Sequence, residues 1–525
     1  MTAAVLHATA HAPDERTGPP ARRTDLRLFP ALGTAWAAAT VVVRVEARTA
    51  LVVAALGLAL ALGLAALVVV RSRGDSGAGS TLVERCAGAV VMALVVAIVT
   101  LAAGAAQVAS RDSGPWARLD AAPVRVEGRV TGDALRLPPP WPGAPEQAMW
   151  AMTTSTVESV GDHAVRQRAR APIRVMGPAR EVPPFDAVVV VVGRLRTEPR
   201  GDRAVATILV DDDVVVLHGP PPWQRTAQGV RAAEHRLAAP LPRDVRALLP
   251  GVTVGDTSGV PDDLRDALRA SGLTHLTAVS GAHFSLVAML ALVVAGLLRV
   301  PRRARAGVVV VAMAAMVILV HPSPSVVRAA VMGLVGVWAM LLGRPAGAPA
   351  ALAAAVVVLL VLDPWLAGEI GFVLSVLATA GIVLIAQPLT RRWSGRAGRS
   401  LAAALAVPVA AQVVCGPVVV VLTPAFATYA IPANILAAPA VAPATAAGVV
   451  EPWCAPVATV LAWVAGAACW WIGAVARLAA AAPGAQLAWL PGALGVGVLG
   501  LSGLCVLRLL LPQREQRVRD QGGGL

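Results

Sequence analysis

Long uncharged apolar blocks recur along the chain, and they predict membrane-spanning helices. The block at 51–70, LVVAALGLALALGLAALVVV, has twenty residues without a charge, and a helix of that length crosses roughly 30 Å of hydrocarbon. Lipid offers no partners for backbone N–H and C=O groups, so such blocks must be helical. The predicted spans lie near 28–43, 49–70, 87–109, 272–298, 307–321, 325–343, 348–362, 366–390, 400–422, 429–450, 454–478 and 486–511. Several are short for a full crossing, which allows for re-entrant segments and gives an expectation of ten to twelve spans.

The pattern changes between 110 and 220 to short β-branched runs separated by Gly, Pro and charged turns. It predicts five strands, near 122–130, 150–160, 171–177, 186–195 and 203–217. Five strands in roughly a hundred residues suit a small barrel of the OB type, with a β-sandwich fragment as the alternative. The next segment, 223–251, alternates Arg with apolar residues at helical spacing. This spacing predicts an amphipathic helix that lies on the membrane face.

Clusters of arginine set the predicted orientation. They lie at 22–27, 71–85, 299–305, 391–399 and 514–519. With twelve spans all five clusters fall on one side, which the positive-inside rule makes cytoplasmic. The β domain, the HPSPS turn at 321–325 and the DPW turn at 363–365 then face outward.

The predicted fold is therefore a polytopic α-helical protein of the inner (cytoplasmic) membrane with an inserted extracytoplasmic β domain. Its parts are a disordered cytoplasmic tail (1–27), N-terminal transmembrane segments (28–109), the OB-like domain (110–220), the interfacial helix (223–251), a transmembrane channel bundle (252–511) and a second cytoplasmic tail (512–525).

Composition supports the membrane assignment and excludes some chemistry. Apolar residues make up 57% of the chain, charged residues 14%, and the mean hydropathy is +0.69, whereas about a quarter of a soluble domain is charged. The net charge is +14 and every basic residue is Arg. Without Lys the chain has no Walker A loop. The arginine excess fits either orientation in the membrane or attraction to a polyanion. The five cysteines lack CxxC spacing, and we expect neither a metal nor another cofactor.

Four motifs follow one another in the second half of the chain. They are GLTHLTAVSGAHF (272–284), SPSVVRAAVMG (323–333), LDPWLAGEIGFVLS (362–375), and PVAAQVVCGP (408–417) with IPANILAAP (431–439). In sequence and in order they resemble the motifs of the ComEC-type competence proteins. Two positions depart from the family pattern: SGLH reads SGAH, and GFQLS reads GFVLS with Val373 in place of Gln. Many family members continue into a metallo-β-lactamase-like domain with an HxHxDH motif. The sequence contains no HxH pair, so the resemblance is to the form without that domain.

This resemblance implies a non-catalytic channel component that translocates single-stranded DNA across the cytoplasmic membrane during natural transformation. An inside-negative potential opposes the entry of an anion, so a motor is required. The expected partners are single-stranded DNA, membrane lipid, a DNA receptor, a cytoplasmic helicase-like motor and a separate nuclease, and a homodimer with a second copy of the chain is left open. Two alternatives remain open. One is a transporter of small molecules or of another polyanion, and the other is a membrane hydrolase that uses Ser280 and His283.

Polar residues within apolar spans are the candidates for the DNA path, because such residues are costly in lipid and usually face the bundle interior. The candidates are His275, Ser280, Gly281, His283, Arg328, Asp363, Glu369, Ser375, Gln412 and Asn434. On one continuous helix, His275 and His283 would lie about eighty degrees apart and could face one cavity. Hydrogen bonding between neighbouring helices is the alternative role for these polar groups.

Arg328 is the strongest candidate for a phosphate contact, because a guanidinium binds phosphate with two parallel hydrogen bonds. The alternative is an ion pair with Asp363 or Glu369. For the β domain, the resemblance implies a role in receiving DNA. The candidate contacts there are Arg166, Arg168, Arg170 and Arg174, near the turn between the second and third predicted strands. A solvated basic hairpin is the alternative for these four.

Overall fold

The N-terminal part of the protein is a three-helix unit. The computed structural model describes residues 26–510 except 73–79, 138, 140, 142, 161–164, 211–213, 278, 280, 322–323, 342–346 and 454–455, so the predicted tails lie almost wholly outside the described residues. The three helices are α1 (Phe29–Val42), α2 (Ala47–Ser72) and α3 (Ser80–Asp112). Both α1 and α2 pack against α3. The contact between α1 and α3 is close, since a Cβ on Gly104 of α3 would lie 2.6 Å from Val42 Cγ1 of α1.

A small closed β-barrel follows the third helix. Its strands are β1 (Pro123–Val130), β2 (Leu135–Leu137), β3 (Gln147–Ser159), β4 (Arg166–Arg168), β5 (Pro172–Pro178), β6 (Val188–Thr197), β7 (Ala206–Leu209) and β8 (Val215–His218). Around the barrel β1 pairs with β3, β3 with β5, β5 with β7, β7 with β6, and β6 with β1. The β5–β7 pair is parallel and the other four are antiparallel. The remaining strands lie outside this closed ring: β2 and β4 pair with β3, and β8 pairs with β6.

The barrel interior is built from alternate residues of the strands. Trp150, Met152 and Ile173 are buried at its centre, as expected for strands with one apolar face. Closure requires a close approach at Gly193, where a Cβ would lie 2.2 Å from Leu209 O. The long strand predicted at 203–217 is divided into β7 and β8, and each pairs with a different stretch of β6.

Thirteen further helices and one small sheet complete the described part of the protein. They are α4 (Pro222–Ala238), α5 (Arg243–Val254), α6 (Asp262–Ala270), α7 (Gly281–Leu297), α8 (Arg302–Val320), α9 (Pro324–Leu341), α10 (Ala348–Leu362), α11 (Ile370–Gly381), α12 (Gln387–Ala397), α13 (Arg399–Leu422), α14 (Ala430–Val450), α15 (Ala458–Ala481) and α16 (Gly492–Leu510), with β9 (Ala425–Ala427) paired to β10 (Gln486–Ala488). One π-helical turn joins α11 to α12.

The described helices make this a multi-pass membrane protein. Six segments are long and apolar enough to cross a membrane: 88–119, 370–395, 399–422, 430–453, 458–481 and 492–510. Six shorter apolar helices accompany them, at 29–42, 47–63, 283–297, 304–320, 326–335 and 348–362. These twelve segments correspond to the twelve predicted blocks. The polytopic helical fold is therefore confirmed.

The predicted single amphipathic helix at 223–251 is instead two helices. Pro240 and Pro242 separate α4 from α5, because proline lacks the N–H that would continue the helical hydrogen bonds. In α5, Leu248 and Leu249 are fully buried in a cluster with residues of α14 and α15. The second half of the predicted interfacial helix is thus a core element.

The barrel sits on one end of the helix bundle. Arg203 of the barrel pairs with Asp363 at 2.5 Å, and Asp133 Oδ2 lies 2.7 Å from His321 Nδ1. The ring of Phe185 stacks on His321 with centroids 3.9 Å apart. These contacts bring the β domain, the HPSPS turn and the DPW turn together. We call this the barrel-facing end.

The hairpin formed by α14 and α15 has both of its ends in the barrel-facing half of the bundle. One end follows α13, which runs antiparallel to α11, since Cys415 Sγ near the end of α13 lies 3.7 Å from Leu374 O near the start of α11. At the other end a Cβ on Gly448 would lie 2.1 Å from Thr253 Cγ2, and the adjacent Val254 packs with Leu319 beside His321. The hairpin thus returns to the side of the bundle from which it starts, and in this sense it is re-entrant, although each of its helices is long and apolar enough to cross a membrane.

Candidate functional site

Five helices of the bundle form a closed ring of neighbours. In order, α7 packs against α9, α9 against α11, α11 against α13, α13 against α14, and α14 against α7. Every one of these helices contributes a predicted polar residue to the candidate site: His283, Arg328, Ser375, Gln412 and Asn434. The sequence predicted the residues, and the structure adds that their helices form a closed cycle of packing contacts. We call this arrangement the helix ring.

Arg328 lies at the contact between α9 and α11. Its side chain is 4% exposed, and Nη1 donates to Thr379 Oγ1 at 2.9 Å and lies 3.2 Å from Met332 Sδ. The Thr379 hydroxyl in turn donates to Ser375 O at 2.9 Å. Arg328 Nε is buried and has no hydrogen-bond partner among the described residues. A nearly buried guanidinium is thus held by one hydroxyl and one thioether.

The predicted ion pair of Arg328 with Asp363 or Glu369 does not form. Asp363 pairs with Arg203 of the barrel instead, and Glu369 is exposed at the start of α11. Among the described residues, Arg328 has no carboxylate partner. The pairing failed because the barrel supplies a competing arginine, which the hydropathy profile of the bundle does not show. Asp363 therefore anchors the barrel.

The two motif histidines, His275 and His283, do not lie on one helix, although their spacing in the sequence suggested it. The helix predicted from 272 begins only at Gly281, and His275 lies in a separate 3-10 turn at Thr274–Thr277. His275 is exposed, whereas His283 in the first turn of α7 is 3% exposed. The predicted shared face, which assumed continuous helical periodicity, is therefore wrong. Ser280 lies outside the described residues.

Gly272 is the reason for this break. It has a φ of +69°, a conformation that glycine adopts readily and other residues rarely do. A Cβ on Gly272 would also lie 2.7 Å from Ala430 Cβ, so the motif loop touches the start of α14. Gly281, the glycine singled out from the sequence, has ordinary helical geometry and meets only Ala329 Cβ at 4.0 Å.

The two amides of the ring are partly buried and keep free hydrogen-bonding capacity. Asn434 Nδ2 donates to Ala430 O at 2.8 Å, a bond within its own helix. The Gln412 side chain is half-buried and makes no hydrogen bond to any described residue. Neither amide joins its helix to a neighbouring one, so the expected interhelical bonding is not seen for this pair. Both remain available to a ligand.

The barrel arginines divide into paired and free groups. Arg174 lies between Glu198 at 3.5 Å and Asp202 at 3.1 Å. Arg166 pairs with Glu127 at 2.7 Å. In contrast, Arg168 and Arg170 are exposed and have no side-chain hydrogen bond or ion pair with any described residue. The predicted basic cluster is therefore smaller than its sequence suggests.

Three residues important to this geometry were not predicted from the sequence. Thr379 holds Arg328, Gly272 shapes the motif loop, and Arg203 occupies Asp363. The second of these had a signal, because Gly272 opens the quoted GL-x-HL motif. The other two are an ordinary helical threonine and one arginine among many, and only the fold reveals their contacts.

The comparisons with known proteins agree with this geometry. A family model described as "Competence protein" matches residues 252–514, which is half of the 525-residue chain and includes all five helices of the ring. No curated protein matches the chain, and no solved structure does. With its helix ring, motif loop and matching half, the chain belongs to the competence protein family.

Proposed function

We propose that this protein is a channel component that passes single-stranded DNA through the cytoplasmic membrane during natural transformation. Membership of the competence protein family supports a role in DNA uptake. The helix ring supplies polar groups on every wall. The barrel lies over one end of the bundle, in a position to receive the strand before it enters.

The observation that best supports this proposal is the surrounding of Arg328. Burial of an unpaired cation costs several kcal/mol, and none of the described carboxylates offsets that cost. A passing phosphate would supply the missing charge and accept hydrogen bonds from the guanidinium. Residues such as Gln412 and Asn434 would offer uncharged hydrogen-bonding groups along the same path.

The barrel would act as the receiving domain. Its closed strand order, with β5 parallel to β7, supports a relation to the OB fold, whose five-stranded barrels bind single strands. Arg168 and Arg170 would contact phosphates. Stacking on the bases would be limited, because Trp150 is buried in the barrel core and Phe185 is occupied by His321. Trp141, which is 64% exposed, is the remaining aromatic candidate.

Orientation and energy supply belong to the same proposal. The barrel would face outward and the arginine clusters inward, as the positive-inside rule predicts. A cytoplasmic helicase-like motor would pull the strand against the membrane potential. A DNA receptor and a separate nuclease would present the strand, and the chain would act as a monomer or a homodimer.

The test is uptake of labelled DNA in a transformable host whose own channel gene is replaced by this chain. Arg328→Ala should lower the DNA that reaches the cytoplasm at least about tenfold, the value of one lost charge-assisted hydrogen bond. Arg328→Lys, which retains the charge but not the paired donors, should recover part of the uptake.

Arg508→Ala is the matched control, since Arg508 is an exposed helical arginine on α16, outside the helix ring. It should leave uptake unchanged at equal membrane levels of protein. Normal uptake by Arg328→Ala would contradict the proposal.

A transporter of another anion is the second candidate, and Arg328 supports it equally well. Competition separates the two: unlabelled oligonucleotide should block uptake, whereas inorganic phosphate or a small organic anion should not. The reverse result would favour the small-molecule transporter.

A further inference from the structure

Two glutamates from different elements meet inside the protein, away from the helix ring's polar groups. Glu234 is on α4, and Glu451 follows directly after α14 at the tip of the re-entrant hairpin. Both side chains are 0% exposed, and their carboxyl groups lie beside each other. Neither residue was singled out by the sequence.

The pair has very little hydrogen-bonding support. Thr253 Oγ1 lies 2.5 Å from Glu234 Oε1 and 2.8 Å from Leu249 O, and its single hydroxyl hydrogen can serve only one of these two acceptors. Glu234 Oε2 and both oxygens of Glu451 are buried without a partner among the described residues. A buried carboxylate without a donor is strongly disfavoured, and two adjacent buried carboxylates cannot both be ionised at ordinary cost.

Among the described residues, no neighbouring cation neutralises the pair. On α4 itself, His235 is engaged by Asp256 at 2.9 Å, and Arg231 donates to Leu319 O at 2.6 Å and faces His321. The nearby group on α15 is the Cys469 thiol.

The remaining neighbour with a hydrogen-bonding side chain is also uncharged. On α5 the neighbour is Thr253, which carries no charge. A proton is therefore the only charge available to compensate the two carboxyl groups among the described residues.

We propose that Glu234 and Glu451 form a proton-binding site that fastens the hairpin tip to α4, and that loss of the proton releases the tip. Two carboxyl groups that share a proton attract each other, whereas two carboxylates repel. Because α14 is one wall of the helix ring, release of its tip would loosen that wall. This proposal extends the proposed function but does not depend on DNA.

The direction of the pH dependence follows from Glu234. Burial, and next the neighbouring Glu451, raise the pKa of Glu234 above its ordinary value. The folded protein then binds the proton more tightly than the unfolded chain does. The contact is fully present below the ordinary carboxyl pKa and is lost as the pH rises through the raised pKa.

The first experiment detects the proton directly by infrared spectroscopy of the purified full chain. At about pH 7 exposed carboxyl groups are ionised, so a protonated-carboxyl band reports buried acids. The wild-type chain should show this band. The double variant Glu234→Gln, Glu451→Gln should lose it, because neither position then carries an acid, and each single variant should shift it, because an amide replaces one partner of the remaining carboxyl group.

Glu146→Gln is the matched control, because Glu146 is 68% exposed on the barrel, and it should leave the band unchanged. A wild-type chain without the band, or a band that is unchanged in the double variant, would overturn the proposal.

The second experiment measures hydrogen exchange of backbone amides at 444–453, corrected for the intrinsic effect of pH. In the wild-type chain, protection should fall as the pH is raised through the pKa of Glu234, which burial raises to about 9. The double variant Glu234→Gln, Glu451→Gln should keep its protection. Equal loss of protection in both proteins would refute the release step. If the variants do not fold, the wild-type titration still decides, since the infrared band and the protection must disappear together.

Discussion

The barrel and the helix ring place arginine in opposite surroundings. Arg174 of the barrel is 32% exposed and lies between two carboxylates, whereas Arg328 of the ring is 4% exposed and has none among the described residues. Water could solvate Arg174 without help, but Arg328 has lost most of its water. Of these two arginines, the more exposed one therefore has counter-charges and the buried one has none among the described residues. Under the proposed function, a bound phosphate would supply the counter-charge that Arg328 lacks.

The largest expected effect in this comparison is the change in stability of the variant Arg328→Met. Methionine fills similar space without the desolvated charge, so the free energy of unfolding should rise by about 1–4 kcal/mol. DNA uptake should fall in the same variant. Thermal unfolding of the detergent-purified chain measures the first effect. A marked loss of stability would show instead that Arg328 is a structural residue.

A second test concerns the two glycines of the motif loop. Gly272→Ala should destabilise the protein by about 1–3 kcal/mol, because alanine is strained at a φ of +69° and its Cβ would meet Ala430. Gly281→Ala is the matched control, since its Cβ has room, and it should be neutral or slightly stabilising. Thermal unfolding of both variants decides. Equal stability of the two would contradict the role given to the loop conformation.

The third test is the barrel counterpart of the first. Arg174→Met leaves Glu198 and Asp202 without their shared cation, so the free energy of unfolding should fall by about 1 kcal/mol, a value kept small because the groups are partly exposed. The sign is opposite to that expected for Arg328→Met. Chemical unfolding followed by circular dichroism measures it. The same sign in both variants would remove the basis of the comparison.

The smallest effect should come from the free barrel arginines. The double variant Arg168→Gln, Arg170→Gln should weaken binding of a single-stranded oligonucleotide by the purified chain severalfold at low salt. The slope of log affinity against log salt should become shallower by about 1.4, for two lost phosphate contacts. Arg174→Gln is the control, because its carboxylates already occupy it. An unchanged slope in the double variant would exclude these arginines from the DNA surface.

Much of the fold could be predicted from the sequence, because hydropathy and strand alternation are local properties. The twelve apolar blocks and the barrel strands fall where the pattern places them. The hairpin of α14 and α15 shows the limit of such reasoning. Its two helices are long and apolar enough to cross, yet contacts with Thr253 and Glu234 return its tip to the barrel-facing half. Length and composition do not record such long-range contacts.

The candidate site was predicted in part for the same reason. Arg328, Gln412 and Asn434 could be identified because each is a polar residue in an apolar helix. The free-energy cost of placing such a residue in lipid depends on the residue itself and not on the fold. The partners of Arg328 were not predictable, because Arg203 reaches Asp363 from a separate domain. The prediction that the two motif histidines share one helix face was wrong, because it assumed a continuous helix where Gly272 permits a turn.

The bare cation of Arg328 also bears on the membrane at rest. A cell must keep its proton gradient when no nucleic acid occupies the ring. A fixed positive charge in a narrow, poorly hydrated passage repels protons and metal cations, as arginine does in other selective pores. The residue proposed to bind each phosphate would thus also exclude cations from the empty passage. Transport of DNA and retention of the proton gradient would then both depend on the guanidinium of Arg328.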